Sequence, residues 1–169
     1  MRRLAAVVAV VVPLSLLAVV VGPGARVEAQ SVEGDGIHFP VAGTVTLTWY
    51  YSCGDDPTLL ASFYGYRLNG TDVQLGALLP GGGCYTREHT LHVSAGDVLQ
   101  VWLKSDSGWP TTCLYDRRHY SPPADAQSRW TDGTGDEVGW VHWEDMLMGP
   151  PCVGADGDYD DVETRIRFT

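Results

Sequence analysis

The sequence has no segment with the 3.6-residue apolar periodicity of an amphipathic helix. It also lacks the short motifs of common catalytic sites, since it contains no G-x-S-x-G nucleophile elbow, no H-E-x-x-H zinc motif and no P-loop. Internal repeats are absent as well. These absences argue against a helical protein, a repeat protein and the hydrolases or nucleotide-binding enzymes that carry those motifs.

Basic residues are missing from a long stretch near the C-terminus. Between Thr131 and Thr164 there is no Lys or Arg, whereas ten Asp and Glu residues fall there, and the whole chain has a net charge of −10. Such a field repels nucleic acid and anionic lipid and attracts cations, so no nucleic-acid partner is expected. A solvated surface is the simpler interpretation of scattered carboxylates.

Residues 1–29 have the organisation of a signal peptide. Arg2 and Arg3 precede the apolar run Leu4–Val21, and a small-residue cleavage site ends at Ala29. An uncleaved membrane anchor is the alternative, which Pro13 and the cleavage site disfavour. We therefore expect a secreted, extracellular protein whose mature part, residues 30–169, is a single domain without a stable membrane anchor.

All four cysteines lie in this mature part: Cys53, Cys84, Cys113 and Cys152. An even number of cysteines in an exported chain predicts two disulfides. Three pairings are possible; Cys53–Cys84 with Cys113–Cys152 is favoured because each pair flanks loop-like sequence. A zinc site is disfavoured because no C-x-x-C pair is present.

Alternation of apolar and polar residues dominates the mature part and predicts about seven short strands. Asn69 and Gly70 predict a tight hairpin turn, and the segment 106–134 is predicted to be irregular. Strands separated by Gly, Pro and Asn turns indicate an all-β fold, an antiparallel, jelly-roll-like β-sandwich stapled by two disulfides. The predicted strands are Gly43–Tyr51, Leu59–Leu68, Asp72–Leu79, Tyr85–Val93, Val98–Ser105, Val138–Met146 and Val162–Phe168.

The tryptophans fall into two groups. Four lie in predicted strands and are expected to fill the space between the sheets, with a sugar-binding aromatic platform as the alternative: Trp49, Trp102, Trp140 and Trp143. Trp109 and Trp130 lie in predicted loops and are therefore the candidate ligand-binding residues.

Carboxylates are concentrated just before the last predicted strand. A D-x-D-x-D turn can surround Ca²⁺ with hard oxygen ligands, whereas neighbouring carboxylates repel one another without a cation. The turn is not an EF-hand, because positions six and twelve counted from Asp156 are Asp161 and Arg167. If the last two strands form a hairpin, the carboxylates that end the first of them approach this turn. The predicted metal site is Glu144, Asp145, Asp156, Asp158, Asp160 and Asp161.

Trp143–Met146 followed by the D-G-D-Y-D-D-V of residues 156–162 resembles the F-E-D-L … D-x-D-Y-N-D-V signature of a family of secreted bacterial domains of unknown function. Ser94–Leu99 and the D-G turn at Asp132 are similar to upstream parts of that family. The resemblance spans residues 64–169 and implies a secreted domain that binds a metal, calcium above all, at the acidic residues. This sequence departs from the signature at Trp143 and Asp160, has a longer loop that carries a cysteine, and lacks the family's C-terminal sorting signal, which implies free secretion.

Three classes of function remain. The first is a calcium-binding extracellular module with a structural, adhesive or ligand-binding role, whose partner would be a glycan or a surface protein. The second is a carbohydrate-binding module that uses Trp109 or Trp130. The third is a secreted glycoside hydrolase in which Glu144 and Asp158 form the acidic pair. The hydrolase is disfavoured because a catalytic acid needs apolar surroundings, and this cluster is expected to be hydrated.

His89 and His92 are three residues apart, so they should lie on opposite faces of a strand and share no metal.

Overall fold

The computed structural model describes residues 31–51, 62–78, 85–105, 118–124, 128–144 and 162–169. Several sequence-based predictions lie outside the described residues: the leader 1–29, the four cysteines, Trp109, and the acidic residues Asp145, Asp156, Asp158, Asp160 and Asp161. Within the described ranges, no helix is long and apolar enough to cross a membrane.

The described residues form eleven strands. Strands β3, β6, β7 and β11 have the bounds that the alternation predicts, and β4, β5 and β10 lie within a few residues of theirs. The strands are β1 (Ser31–Glu33), β2 (Gly36–His38), β3 (Gly43–Tyr51), β4 (Ser62–Leu68), β5 (Thr71–Leu78), β6 (Tyr85–Val93), β7 (Val98–Ser105), β8 (His119–Ser121), β9 (Ser128–Asp132), β10 (Glu137–Trp143) and β11 (Val162–Phe168).

These strands form two antiparallel sheets. Sheet A has the order β1-β2-β7-β4-β5, and β8 adds to it by pairing with the middle of β7. Sheet B has the order β6-β3-β11-β10-β9. Strand β11 therefore lies in the middle of sheet B, between β3 and β10.

The inner faces of the two sheets pack against each other and form one apolar core. On β3, Val45, Leu47 and Trp49 are fully buried, and on β7 so are Leu99 and Val101. Aromatic contacts join the two sheets: the ring centroids of Trp49 on sheet B and Tyr64 on sheet A lie 4.9 Å apart. Alternating apolar residues therefore place one side of each sheet against the other. The predicted all-β class is confirmed, and the two antiparallel sheets are consistent with a β-sandwich.

The turn between β4 and β5 has the predicted geometry. Asn69 and Gly70 have φ values of 50° and 79°, the left-handed backbone that a two-residue hairpin of this twist requires. The Asn69 side chain also ties this turn to the turn before β7, because it donates to Asp97 Oδ1 at 2.8 Å and accepts from the Val98 amide at 2.9 Å. Two turns of sheet A are thus fixed against each other.

Two expectations about the strands were wrong. The segment 106–134 was predicted to be irregular, but β8 and β9 lie in it. Both are short, so too few residues alternate to give a clear pattern. Trp102 was expected between the sheets, but it lies on the opposite face of β7 from Val101 and Leu103, outside the core. We call this side of each sheet, turned away from the shared core, its outer face.

Candidate functional site

The end of the β10–β11 hairpin carries the predicted metal site. The two strands pair antiparallel, and Trp143 is the partner of Val162. Glu144 directly follows Trp143, and Asp161 directly precedes Val162. The predicted hairpin is confirmed, so both acidic segments start from one rung of the ladder.

Glu144 is the only member of that site among the described residues, and it is 1% exposed. Burial of a carboxylate is costly unless polar or charged groups compensate it, and Glu144 does interact with other groups. The expectation that the cluster is hydrated is therefore wrong for Glu144. Its burial also removes the argument that this carboxyl is too solvated to act as an acid.

Two polar residues that neighbour Trp143 on the adjacent strands are also buried. Ser128, the partner of Trp143 on β9, is 2% exposed. The Trp143 indole donates to Thr164 Oγ1 at 2.9 Å, and Thr164 is fully buried. Hydroxyl groups thus lie on the inner side of this end of sheet B, where purely apolar residues would normally lie.

Trp130, one of the two candidate ligand-binding tryptophans, lies in β9 and not in a loop. Its ring packs against the core, and its indole nitrogen donates to Asp132 Oδ1 at 2.7 Å. Gly139 on β10 lies so close that an added Cβ atom would overlap the ring. One face of this ring is therefore occupied by backbone, and the prediction that Trp130 lies in a loop is wrong.

Trp140 was expected between the sheets and lies instead on the outer face of sheet B. Its ring stacks on that of Tyr50, with centroids 5.6 Å apart and an interplanar angle of 22°. Both residues are half-buried. The sequence could have predicted this position, because Val141 and Trp143 alternate as buried residues along β10 and Trp140 is out of phase with both.

The outer face of sheet A carries an ion-pair cluster. Arg67 donates to both oxygens of Asp72, at 2.8 and 3.3 Å, and Arg118 donates to Asp72 Oδ2 at 3.2 Å. The Tyr120 hydroxyl donates to the same carboxylate at 2.9 Å. Burial raises the pKa of Asp72, but the hydrogen bonds from Arg67 and Tyr120 outweigh it and lower the pKa.

Beneath this cluster lies Trp102, which is fully buried. The Arg118 guanidinium carbon is 4.7 Å from its ring centroid, and the indole donates to the Tyr66 carbonyl at 3.0 Å. A Cβ atom on Gly65 would overlap both the ring and the Val73 carbonyl oxygen. Glycine at position 65 thus allows the indole to lie flat on β4, and Arg118 covers it.

The histidines behave as their spacing predicts. His89 lies 3.2 Å from the Tyr64 hydroxyl on the inner side, whereas His92 lies 3.4 Å from Thr44 on the outer side. Burial, and after it the charge of Arg87, lowers the pKa of His89. His38 contacts Asp35 at 2.6 Å near Glu33, a group that metal-ligand spacing would allow, but both carboxylates are exposed.

No protein-family model matches the chain, and no curated protein matches it either.

Proposed function

We propose that this chain is a secreted extracellular module, a jelly-roll-like sandwich with two disulfides, in which Ca²⁺ binds at the end of the β10–β11 hairpin. The observation that carries the proposal is the pairing of Trp143 with Val162. The segment Glu144–Asp145 directly follows Trp143 in sequence, and the segment Asp156–Asp161 directly precedes Val162. Glu144 is buried. The resemblance to a family of secreted bacterial domains supports the same site.

Calcium suits this end of the sheet for a chemical reason. Carboxylate oxygens are hard ligands, and Ca²⁺ takes six to eight of them in flexible geometry. Five aspartates follow Glu144 in the two segments, and carboxylates this close in sequence repel one another without a cation. A chain with a net charge of −10 also attracts cations over a longer range.

The ion would stabilise the strand pair on which sheet B depends. Strand β11 pairs with β3 on one side and with β10 on the other. A ligand shared between the segments after β10 and before β11 would close the open end of this pair. We therefore expect loss of calcium to loosen the end of the hairpin before the core.

The test is a thermal melt of the oxidised chain with millimolar calcium and with excess chelator. Calcium at about 100 times its dissociation constant should stabilise the fold by roughly 2.7 kcal/mol, a shift of several degrees for a domain of this size. The double variant Asp158→Asn/Asp160→Asn should lose the shift. The matched control is Glu33→Gln/Asp35→Asn, which removes two exposed carboxylates at the β1–β2 turn and should keep it.

The result that would overturn the proposal is an unchanged melting temperature across calcium concentrations up to about 10 mM, which covers the weak affinities of extracellular modules. In that case the acidic turn is solvated surface. A separate assay of the unaltered chain and a Glu144→Gln variant with a chromogenic glycoside tests the hydrolase alternative. Cleavage by the unaltered chain that is lost in the folded variant would assign catalysis to this end of the hairpin.

A further inference from the structure

The outer face of sheet B carries an aromatic pair that fills no core. Tyr50 on β3 and Trp140 on β10 lie on either side of β11, and their rings meet above it with centroids 5.6 Å apart. Side chains on this face point away from the sheet–sheet interface, so packing between the sheets does not explain two large rings here. Both rings keep part of their surface exposed.

Two acid–base pairs flank the aromatic pair. On one side, Arg165 of β11 bonds to the Glu137 carboxylate and its guanidinium carbon lies 5.5 Å from the Trp140 ring centroid. On the other side, His142 Nδ1 lies 2.9 Å from Glu163 Oε1. The Arg165 and Glu137 side chains are 27% and 21% exposed, and those of His142 and Glu163 are 27% and 36% exposed. Solvent, and so a ligand, can therefore reach them.

A bulge in β10 brings Glu137 to this face. Residues three apart on a regular strand point to opposite sides, which would separate Glu137 from Trp140. The register shifts between Glu137 and Gly139, and the extra residue restores Glu137 to the side of Trp140. The indole nitrogen then donates to Glu137 Oε2 at 3.3 Å. Bulges commonly re-aim a side chain in this way next to a binding site.

The aromatic pair and its neighbours hold one another in place. Arg165 hydrogen-bonds Tyr50 as well as Glu137, and the bond to Tyr50 is the first cause that raises the pKa of Arg165. Ring orientations fixed in the free protein lower the conformational entropy that binding would otherwise cost. Acceptor sites remain, because a carboxylate can accept about four hydrogen bonds; the described contacts give two to Glu137 and one to Glu163.

This set of groups matches the chemistry of a pyranose ring. A sugar presents a C–H-rich face, which packs on an aromatic ring, and a rim of hydroxyls, which pair with planar carboxylate and guanidinium groups. The strand residues of this face also balance in charge: Glu88, Glu137 and Glu163 against Arg129, Arg165 and Arg167. A balanced face on a chain of net charge −10 favours a neutral glycan over an anionic one.

We propose that the outer face of sheet B binds a neutral oligosaccharide, with its ring on Tyr50 and Trp140 and its hydroxyls on Glu137, Arg165 and Glu163. The aromatic pair is distinct from the proposed metal ligands, since Trp140 lies three residues, about 10 Å, along β10 from Trp143, the residue before Glu144. The His142–Glu163 pair lies between the two sites. The proposal does not rest on calcium binding.

The test is native affinity electrophoresis of the oxidised chain through gels that contain a soluble neutral polysaccharide. The probes are hydroxyethylcellulose, xylan, glucomannan, galactomannan and soluble starch, with polygalacturonate as the anionic comparison. We expect at least one neutral probe to retard the protein and polygalacturonate not to do so. Trp140→Ala should raise the dissociation constant by about tenfold or more, and Trp140→Phe, which keeps a ring, by less.

Tyr120→Phe on the outer face of sheet A is the matched control and should bind as the unaltered chain does. A thermal melt of each variant shows that it is folded, and gels run with chelator separate this site from the metal site. The proposal is overturned if no neutral probe retards the protein, if polygalacturonate alone does, or if folded Trp140→Ala and Tyr50→Ala variants bind unchanged. Retardation that disappears with chelator but survives both substitutions would place the sugar at the hairpin end and also overturn it.

Discussion

Each sheet carries a tryptophan on its outer face, and the two have opposite surroundings. Trp102 on sheet A has no exposed surface: Gly65 lets its ring lie on the backbone, and Arg118 covers it. Trp140 on sheet B is only half-buried and stacks on Tyr50. Both faces use arginine, carboxylate and tyrosine around the indole. The difference is whether the ring is enclosed, which makes it part of the fold, or left open, which makes it available to a ligand.

The contrast should be largest in stability. Trp102→Ala removes a fully buried indole and its hydrogen bond to the Tyr66 carbonyl, so the free energy of unfolding should fall by about 3–5 kcal/mol. Trp140→Ala removes a ring that water already reaches, and the loss should be about 1 kcal/mol. Urea unfolding of both variants measures the difference. Equal losses would show that Trp140 is also a structural residue.

The next largest effect concerns the backbone beneath Trp102. In Gly65→Ala the new methyl group would overlap the Val73 carbonyl and the indole, and the fold should lose about 3 kcal/mol, the upper end for overpacking. Gly34→Ala is the matched control, because nothing lies within 4 Å of its added Cβ atom; its effect should stay within about 0.5 kcal/mol. Denaturant midpoints of the two variants, if indistinguishable, would contradict the enclosure of Trp102.

Loss of the Asp72 charge on sheet A should have a smaller effect on the free energy of unfolding, and this effect should depend on pH. Asp72 accepts hydrogen bonds from two arginines and a tyrosine, so Asp72→Asn should lower the free energy of unfolding by about 1.5–3 kcal/mol at pH 7. Because its pKa in the folded state lies below the ordinary value of 3.8, this stability is present above pH 3.8 and is lost as the pH falls through the folded pKa.

Urea melts of the unaltered chain and Asp72→Asn between pH 2 and pH 7 check both parts. The difference between them should be constant near neutral pH and shrink at the acid end. A difference that stays the same down to pH 2 would mean that the ionised carboxylate does not stabilise the cluster.

The smallest effect compares the two tyrosines. Tyr120→Phe removes a hydroxyl that donates to Asp72 and accepts from Arg67 at 2.7 Å, which should lower the free energy of unfolding by about 1 kcal/mol. Tyr50→Phe removes the hydroxyl that bonds Arg165 on a more open face and should change it by less. A larger loss in Tyr50→Phe, measured by urea unfolding, would reverse the comparison.

Local alternation accounts for most of the fold. Val45, Leu47, Trp49 and Tyr51 face the core as the period of two predicts, and Asn69–Gly70 forms the predicted turn. The failures have physical causes. Strands β8 and β9 are short, and the β10 bulge changes which side chains share a face. Gly139, an isolated glycine inside the strand pattern, is the sequence signal of that bulge.

The candidate sites were predictable to different degrees. The β10–β11 hairpin could be predicted because a hairpin needs only neighbouring strands and a turn. The burial of Glu144 could not be predicted from the alternation, since Glu144 follows β10 and is out of phase with the buried Trp143. Trp140 was missed because tryptophan in a strand usually lies in the core; its phase against Val141 and Trp143 was the better guide.

The position of β11 has a consequence for how the domain forms. This strand is the central one of sheet B, yet its residues 162–168 leave the ribosome after every other described strand. Until they arrive, β3 and β10 have no common neighbour and sheet B is divided into two separate pairs of strands. Because pairing β3 with β11 joins residues more than a hundred positions apart, the joining of these two strand pairs into one sheet should be slow. The domain can therefore acquire its native sheet only after synthesis has passed residue 168.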